Sequence, residues 1–228
     1  MSNVTKKVSS EVAVVGNDLG EWGANELSTQ DIVIPKILLM QGLSELVSSG
    51  KAKLGDYMDS VNETKLGGVD SPIEIIPFQM EKFWIHQKFN GKRFEYIKTE
   101  KMTAENQSLP WLYQENGVDH RRMYTFNFYV LVPGQTLPYL LNFSSTSAKA
   151  GKELATQMYT TNAINKLPPP AMVMELGCKI DKNDDGTFAV KTVKPKRKAN
   201  FEEISSAFEW FKTFKSTTVK VDDKGDFV

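Results

Sequence analysis

The chain has 228 residues, 40% of them hydrophobic and 25% charged, with 28 Lys and Arg set against 28 Asp and Glu, a composition ordinary for a soluble globular protein with chain enough for a sizeable core. No run approaches the roughly 18 apolar residues of a membrane span, the N-terminus lacks the apolar core of a secretory signal, and Cys178, the only cysteine, excludes an intrachain disulfide or a multi-cysteine zinc site. A net charge of zero argues against coating duplex DNA by bulk charge, yet a balanced total can hide a local patch.

Residues 1–30, rich in Ser, Asn, Gly and acidic side chains, read as a flexible leader. From Asp31 the dense apolar series Ile32, Ile34, Ile37, Leu38, Leu39, Met40, Leu43 and Leu46 opens a single domain expected over 31–216. Pro35 interrupts any long helix there, so an extended start and a short helical or looped stretch to Gly50 are predicted, then a turn into a short strand at Tyr57. Ile73 to Phe89 reads as a strand. Alternation puts Lys82, Trp84, His86 and Lys88 on one face of it, and Phe83, Ile85 and Phe89 on the other. Asn90-Gly91 predicts a tight hairpin into Lys92–Lys98. Residues 99–121 read as a long polar loop, and Arg122–Val132 as a strand with Tyr124, Phe126 and Phe128 on one face. Pro133-Gly134 turns it into Leu137–Phe143. Ser144–Tyr159 reads as a helix capped by Ser145 or Thr146. Ala171–Ile180 and Thr187–Val193 are strands around the turn Asp181–Gly186. Asn200 and Glu203 form a capping box for a helix carrying Ile204, Ala207, Phe208, Phe211 and Phe214 at helical spacing. Residues 217–228 read as a mildly acidic flexible tail. The order predicts a mainly β fold with α: an OB-like five-stranded barrel with an inserted helix and a C-terminal helix.

Catalytic and metal patterns are weak. Asp181, Asn183 and Asp185 before Gly186 resemble the start of a calcium loop, but the twelfth position is Thr192 where a bidentate glutamate belongs. His86 and His120 are too few for a typical zinc enzyme; no phosphate-binding P-loop and no nucleophile elbow occurs. No enzyme, cofactor or metal is expected. Basic and aromatic residues, by contrast, recur together. Lys82, Trp84, Lys88, Arg93, Tyr96, Lys98, Trp111, Arg122, Lys194, Lys196 and Arg197 form the candidate nucleic-acid-binding set, with rings to stack on bases and cations to follow phosphate. The bland reading makes the alternating rings core, and the run from Lys191 to Lys198 a solvated strand end where Pro195 stops regular pairing.

Three stretches carry a family resemblance: IVIPKILLMQGLSELVSSGKAKLGD, YTFNFYVLVPGQTLPYLLNFSSTSAKAGKELATQ and DGTFAVKTVKPKRKA. They resemble single-stranded DNA-binding proteins of tailed phages, of the T7 type. The resemblance implies an OB barrel, action in the cytoplasm of the infected host cell, and single-stranded DNA as partner. Some similar proteins carry paired cysteines before the strand holding Tyr124; none stands between Met102 and Met123 here, so no zinc site carries over. The end Val221-Asp-Asp-Lys-Gly-Asp-Phe-Val228 is similar to the acidic, aromatic-ended tails that contact replication or recombination proteins, though shorter and diluted by Lys224. The function expected is sequence-tolerant strand sequestration or annealing in replication or recombination, without catalysis and without a membrane; self-association stays open. The alternative is a phage adaptor that docks a host or recombination protein.

Overall fold

The computed structural model describes residues 33–184, 186–216 and 220–221; the expected leader and nearly all of the expected tail lie outside them. In chain order the strands are β1 (Val33–Ile34), β2 (Ile37–Leu39), β3 (Tyr57–Asp59), β4 (Lys65–Gly67), β5 (Ile73–Phe89), β6 (Phe94–Lys101), β7 (Leu112–Glu115), β8 (Val118–Leu131), β9 (Tyr139–Phe143), β10 (Met172–Asn183), β11 (Gly186–Lys198) and β12 (Lys220–Val221). The helices are α1 (Glu45–Ser48), α2 (Ala148–Tyr159) and α3 (Phe201–Ser216).

Its run of β-branched and aromatic residues makes β5 a 17-residue strand, about 55 Å long at 3.3 Å per residue. One small core cannot cover that length, so its two ends have different neighbours. Along one edge β5 pairs with β8, from Ile76 opposite Leu131 to Lys88 opposite His120. On the other edge its first residues pair with β10 and its last with β6. β9 and β7 add to the far side of β8, and β11 to the far side of β10. β2, β3 and β4 form a second antiparallel sheet, bridged to β9 at Lys36 and Leu140.

The main core lies inside the bend of these sheets. Ile37, Tyr57, Ile75, Phe128, Leu141, Phe143, Leu154, Met174 and Leu176 are all buried in it. α2 closes one side at Gly151, where a Cβ would stand 2.7 Å from Phe143 Cβ and 2.9 Å from Phe126 Cδ2. On the outer face α3 packs Ala207, Trp210, Phe211 and Phe214 against Ile76, Phe78, Leu131 and Val173. Its capping box forms as expected: Glu203 N–H donates to Asn200 Oδ1 and Asn200 N–H to Glu203 Oε2, each at 2.8 Å.

Among the described residues the fold is therefore mainly β with three α-helices, in keeping with the mainly β fold with α that the sequence implies, but none of the sheets closes into a five-stranded barrel. The main sheet has seven strands. Between β2 and β11 the described residues form no ladder; the Gln41 side chain spans the gap, donating to Ala189 C=O and accepting from Ala189 N–H, both at 3.0 Å. Four local expectations also change. α2 begins only at Ala148, after a tight turn over Ser145–Ser147, and no side chain caps it. The hairpin after β5 turns one residue later than predicted: Asn90 N–H donates to Arg93 C=O, while Asn90 Oδ1 accepts from Lys92 and Arg93 N–H. Part of the supposed loop 99–121 is the hairpin β7–β8. Pro195 does not end β11; the register shifts there, opposite Val173 and Met174, and pairing resumes to Lys198.

Candidate functional site

Beyond the stretch packed on α2 and α3, the last part of β5 lies in a four-stranded arm ordered β6-β5-β8-β7. Two turns shape it. Gly91 at φ 92 turns β5 into β6, and Asn116 and Gly117, both at positive φ, supply the mirror-image turn that matches strand twist between β7 and β8. Register partners share a face. One face thus carries Glu100, Trp84 and Tyr124 in one row, Lys98, His86 and Arg122 in the next, and Lys88, His120 and Tyr113 in the third.

The first row corrects the sequence reading. Trp84 is only 6% exposed, so it offers no face for base stacking. Its indole N–H donates to Asn106 C=O at 3.0 Å, and its ring meets Tyr124 edge-on at 6.4 Å. The polar segment after β6 folds over it, fixed by the Asn106 amide, which donates to Lys101 C=O and the Glu100 carboxylate. Ile85 and His86 are buried as well, so both faces of β5 are covered at this point and the expected division into core face and cationic face fails. Lys82 is exposed, with its ammonium 5.4 Å from the Phe126 ring centre.

Farther out, several of the basic and aromatic residues singled out in the sequence are exposed. Trp111 and Tyr96 are 49% and 47% exposed, and Lys88, Arg93 and Lys98 are exposed too, though Tyr96, opposite Gln87, lies on the other face from Lys98. Lys98 pairs with Glu100 at 3.0 Å and Arg93 with Glu95 at 3.9 Å. The Arg122 guanidinium stacks 3.8 Å over Tyr113 and donates to Pro110 C=O. Sequence reading missed its counterpart on the opposite face, where Arg121 lies 4.2 Å over Phe94. It missed Tyr113 as well, by leaving β7 in a loop; the dipeptide Asn116-Gly117 was the signal. Residues 82–125 carry eight Lys or Arg against five Asp or Glu, so the arm is locally positive in a chain that is neutral overall.

Two histidines lie under this surface. His86 sits 3.2 Å from Glu100, off the hydrogen-bonding direction, and burial, then Lys98 and Arg122, hold its pKa below the ordinary value. His120 stacks against Tyr113 with ring centres 5.0 Å apart.

Lys194, Lys196 and Arg197 do not join the arm. They lie beside Glu74, near the opposite end of β5 from Lys88, and carboxylates meet each of them. Glu175 pairs with Lys194 and Lys196 at 2.8 Å, and Arg197 bridges Glu74 at 2.8 Å and Glu203 at 2.7 Å. These contacts hold the Glu175 and Glu203 carboxyls below the usual range and raise Arg197. Lys191, in the same run, is buried, and its ammonium donates to Asn142 C=O at 2.6 Å.

Among the described residues no three His, Cys, Asp or Glu side chains are grouped to hold a metal, and no helix is long and apolar enough to cross a membrane. A family model described as Pam3 phage gp34-like protein matches residues 5–220. No curated protein and no solved structure matches the chain.

Proposed function

We propose that this chain, which belongs to the Pam3 phage gp34-like family and is thus a phage protein, binds single-stranded DNA through the arm, without sequence preference and without catalysis, in the cytoplasm of the infected cell. The observation that supports this most is the gathering of Lys88, Lys98 and Arg122 on one face of the arm, with Trp111 beside Arg122 at its edge. Trp111 is the stacking platform beside Arg122 and Tyr96 one on the other face, each worth about 1–3 kcal/mol per base. Lys88 and Lys92 meet phosphate directly, while Lys98 and Arg93 exchange Glu100 and Glu95 for it. Arg122, already laid on a ring, keeps Tyr113 fixed beneath the strand. With about four phosphates neutralised, log affinity falls with log salt at a slope of about −3. Such a binder would sequester or anneal strands during phage replication or recombination.

Titration of oligo-dT against intrinsic tryptophan fluorescence tests this. Quenching that weakens with salt, and that Trp111→Ala abolishes, is expected; absence of binding at about 50 mM salt, where such contacts are strong, overturns the reading.

The ion-paired state of Lys194, Lys196 and Arg197 favours a second reading, an adaptor that docks a host or recombination protein, since a basic run locked to carboxylates suits a protein contact as well as a nucleic-acid one. Under it, co-purifying partners survive nuclease and high salt and remain bound to the Trp111→Ala variant.

A further inference from the structure

α3 has a second apolar face beyond the one packed on the sheet. Its core contacts come from Ala207, Trp210, Phe211 and Phe214. Phe201, Ile204, Phe208 and Lys215 are spaced so that they form another row along the same helix, each close to the angular position of Phe208. In that row Phe201 is 84% and Phe208 52% exposed, and Lys215 is exposed with them. Rings exposed singly are ordinary on a protein surface, but a row of them on one helix face is what a helix–helix contact uses.

The row is held on a fixed support. Ala199 N–H donates to Ala171 C=O at 2.9 Å just before α3 starts, and the Arg197 guanidinium fastens Glu203 in the first turn. The charges along the row say what covers it. Glu202 is exposed in the first turn and Lys215 in the last. Phe208 stands midway, seven residues from Phe201 and seven from Lys215. An acidic or a basic partner helix matches one end of α3 and opposes the other; a second α3, laid antiparallel, matches both. The helix macrodipoles then also run in opposite directions.

We infer that α3 is a homodimer interface. Two copies pack antiparallel about a two-fold axis at Phe208, so that Phe208 meets its own copy, the Phe201 ring lies on the Lys215 stem, and the Lys215 ammonium of one copy faces Glu202 of the other. The arm takes no part, since α3 packs on the first part of β5 and the arm is built on its last part.

Sedimentation equilibrium of the full chain, free of nucleic acid, tests this. One helix pair is smaller than a standard interface, so the dimer dissociates with a Kd on the order of 10 µM, seen as average mass rising toward twice the monomer between about 1 and 300 µM. Phe208→Glu sets two carboxylates face to face at the axis and leaves the chain monomeric over that range, while its melting temperature is kept because the replaced ring is half exposed. Lys215→Glu raises Kd by about tenfold, and adding Glu202→Lys to it brings Kd back to within about threefold of the wild type. These two positions are 13 residues apart in one helix, about 20 Å, too far to meet within one chain, so the rescue reads pairing between copies. A chain that stays monomeric at about 300 µM, where even a weak dimer forms, means that something else covers α3 and overturns the proposal. A dimer that Phe208→Glu leaves intact, or a charge swap that does not restore association, overturns it as well.

Discussion

Two tryptophans on the arm, Trp84 and Trp111, have opposite roles, and only exposure tells them apart. Trp84 is sealed by Asn106 and packed on Tyr124, so Trp84→Ala should cost roughly 3–5 kcal/mol in a denaturant melt, the usual range for truncating a buried Trp. Trp111→Ala should leave stability within about 0.5 kcal/mol, as surface changes do, and remove the fluorescence response to oligo-dT. A stable Trp84→Ala variant that no longer binds would reverse these assignments. His86 gives the arm a pH dependence. Burial, Lys98 and Arg122 lower its pKa and Glu100 opposes them weakly, so the unfolded chain takes up the proton first. Stability contributed by neutral His86 is present above the unfolded value of about 6.5 and is lost as pH falls below it toward the lowered folded value. Urea midpoints between pH 7.5 and 5.5 should fall for the wild type and fall less for His86→Gln. Equal slopes in the two proteins would show that His86 is not the group that titrates.

At the scale of elements, α3 is legible from Asn200 and Glu203 and the apolar spacing after them, because a capping box is a local device whose two hydrogen bonds need no distant partner. The structure adds Arg197, which fastens Glu203 from β11. Asn200→Ala should cost about 1 kcal/mol, the typical loss of an N-cap, seen as a lowered melting temperature. The β5–β6 hairpin was legible for the same reason, yet Asn90 serves as the acceptor before the turn and not as a residue within it. β7 escaped because Leu112, Tyr113, Gln114 and Glu115 are mostly exposed and show no buried alternation; only the turn after them carried a signal. Pro195 misled for a different reason: it sits where the register shifts, and a strand can tolerate a proline at such an irregularity. Gly151 could not be singled out from sequence, since its necessity comes from Phe126 and Phe143 on other strands.

Across the whole molecule, what the sequence could not reveal is which cations face carboxylates, because Glu74, Glu175 and Glu203 reach the run 194–197 only through pairing of β5, β10 and β11 and the start of α3. The chain's zero net charge is thereby partitioned: the β11 end is internally neutralised, and the arm keeps an excess of positive charge. Under the strand binding proposed above, its salt dependence comes from the arm. Lys88→Gln and Lys92→Gln should each flatten the slope of log affinity against log salt by about 0.7, the contribution of one phosphate contact on a single strand. The pair Lys194→Gln and Lys196→Gln should leave that slope unchanged, since those ammonium groups already meet Glu175 and release no counterions on binding. Loss of slope in the β11 pair with no change in the arm variants would move the interface to the other end of β5, and with it the footprint of the bound strand.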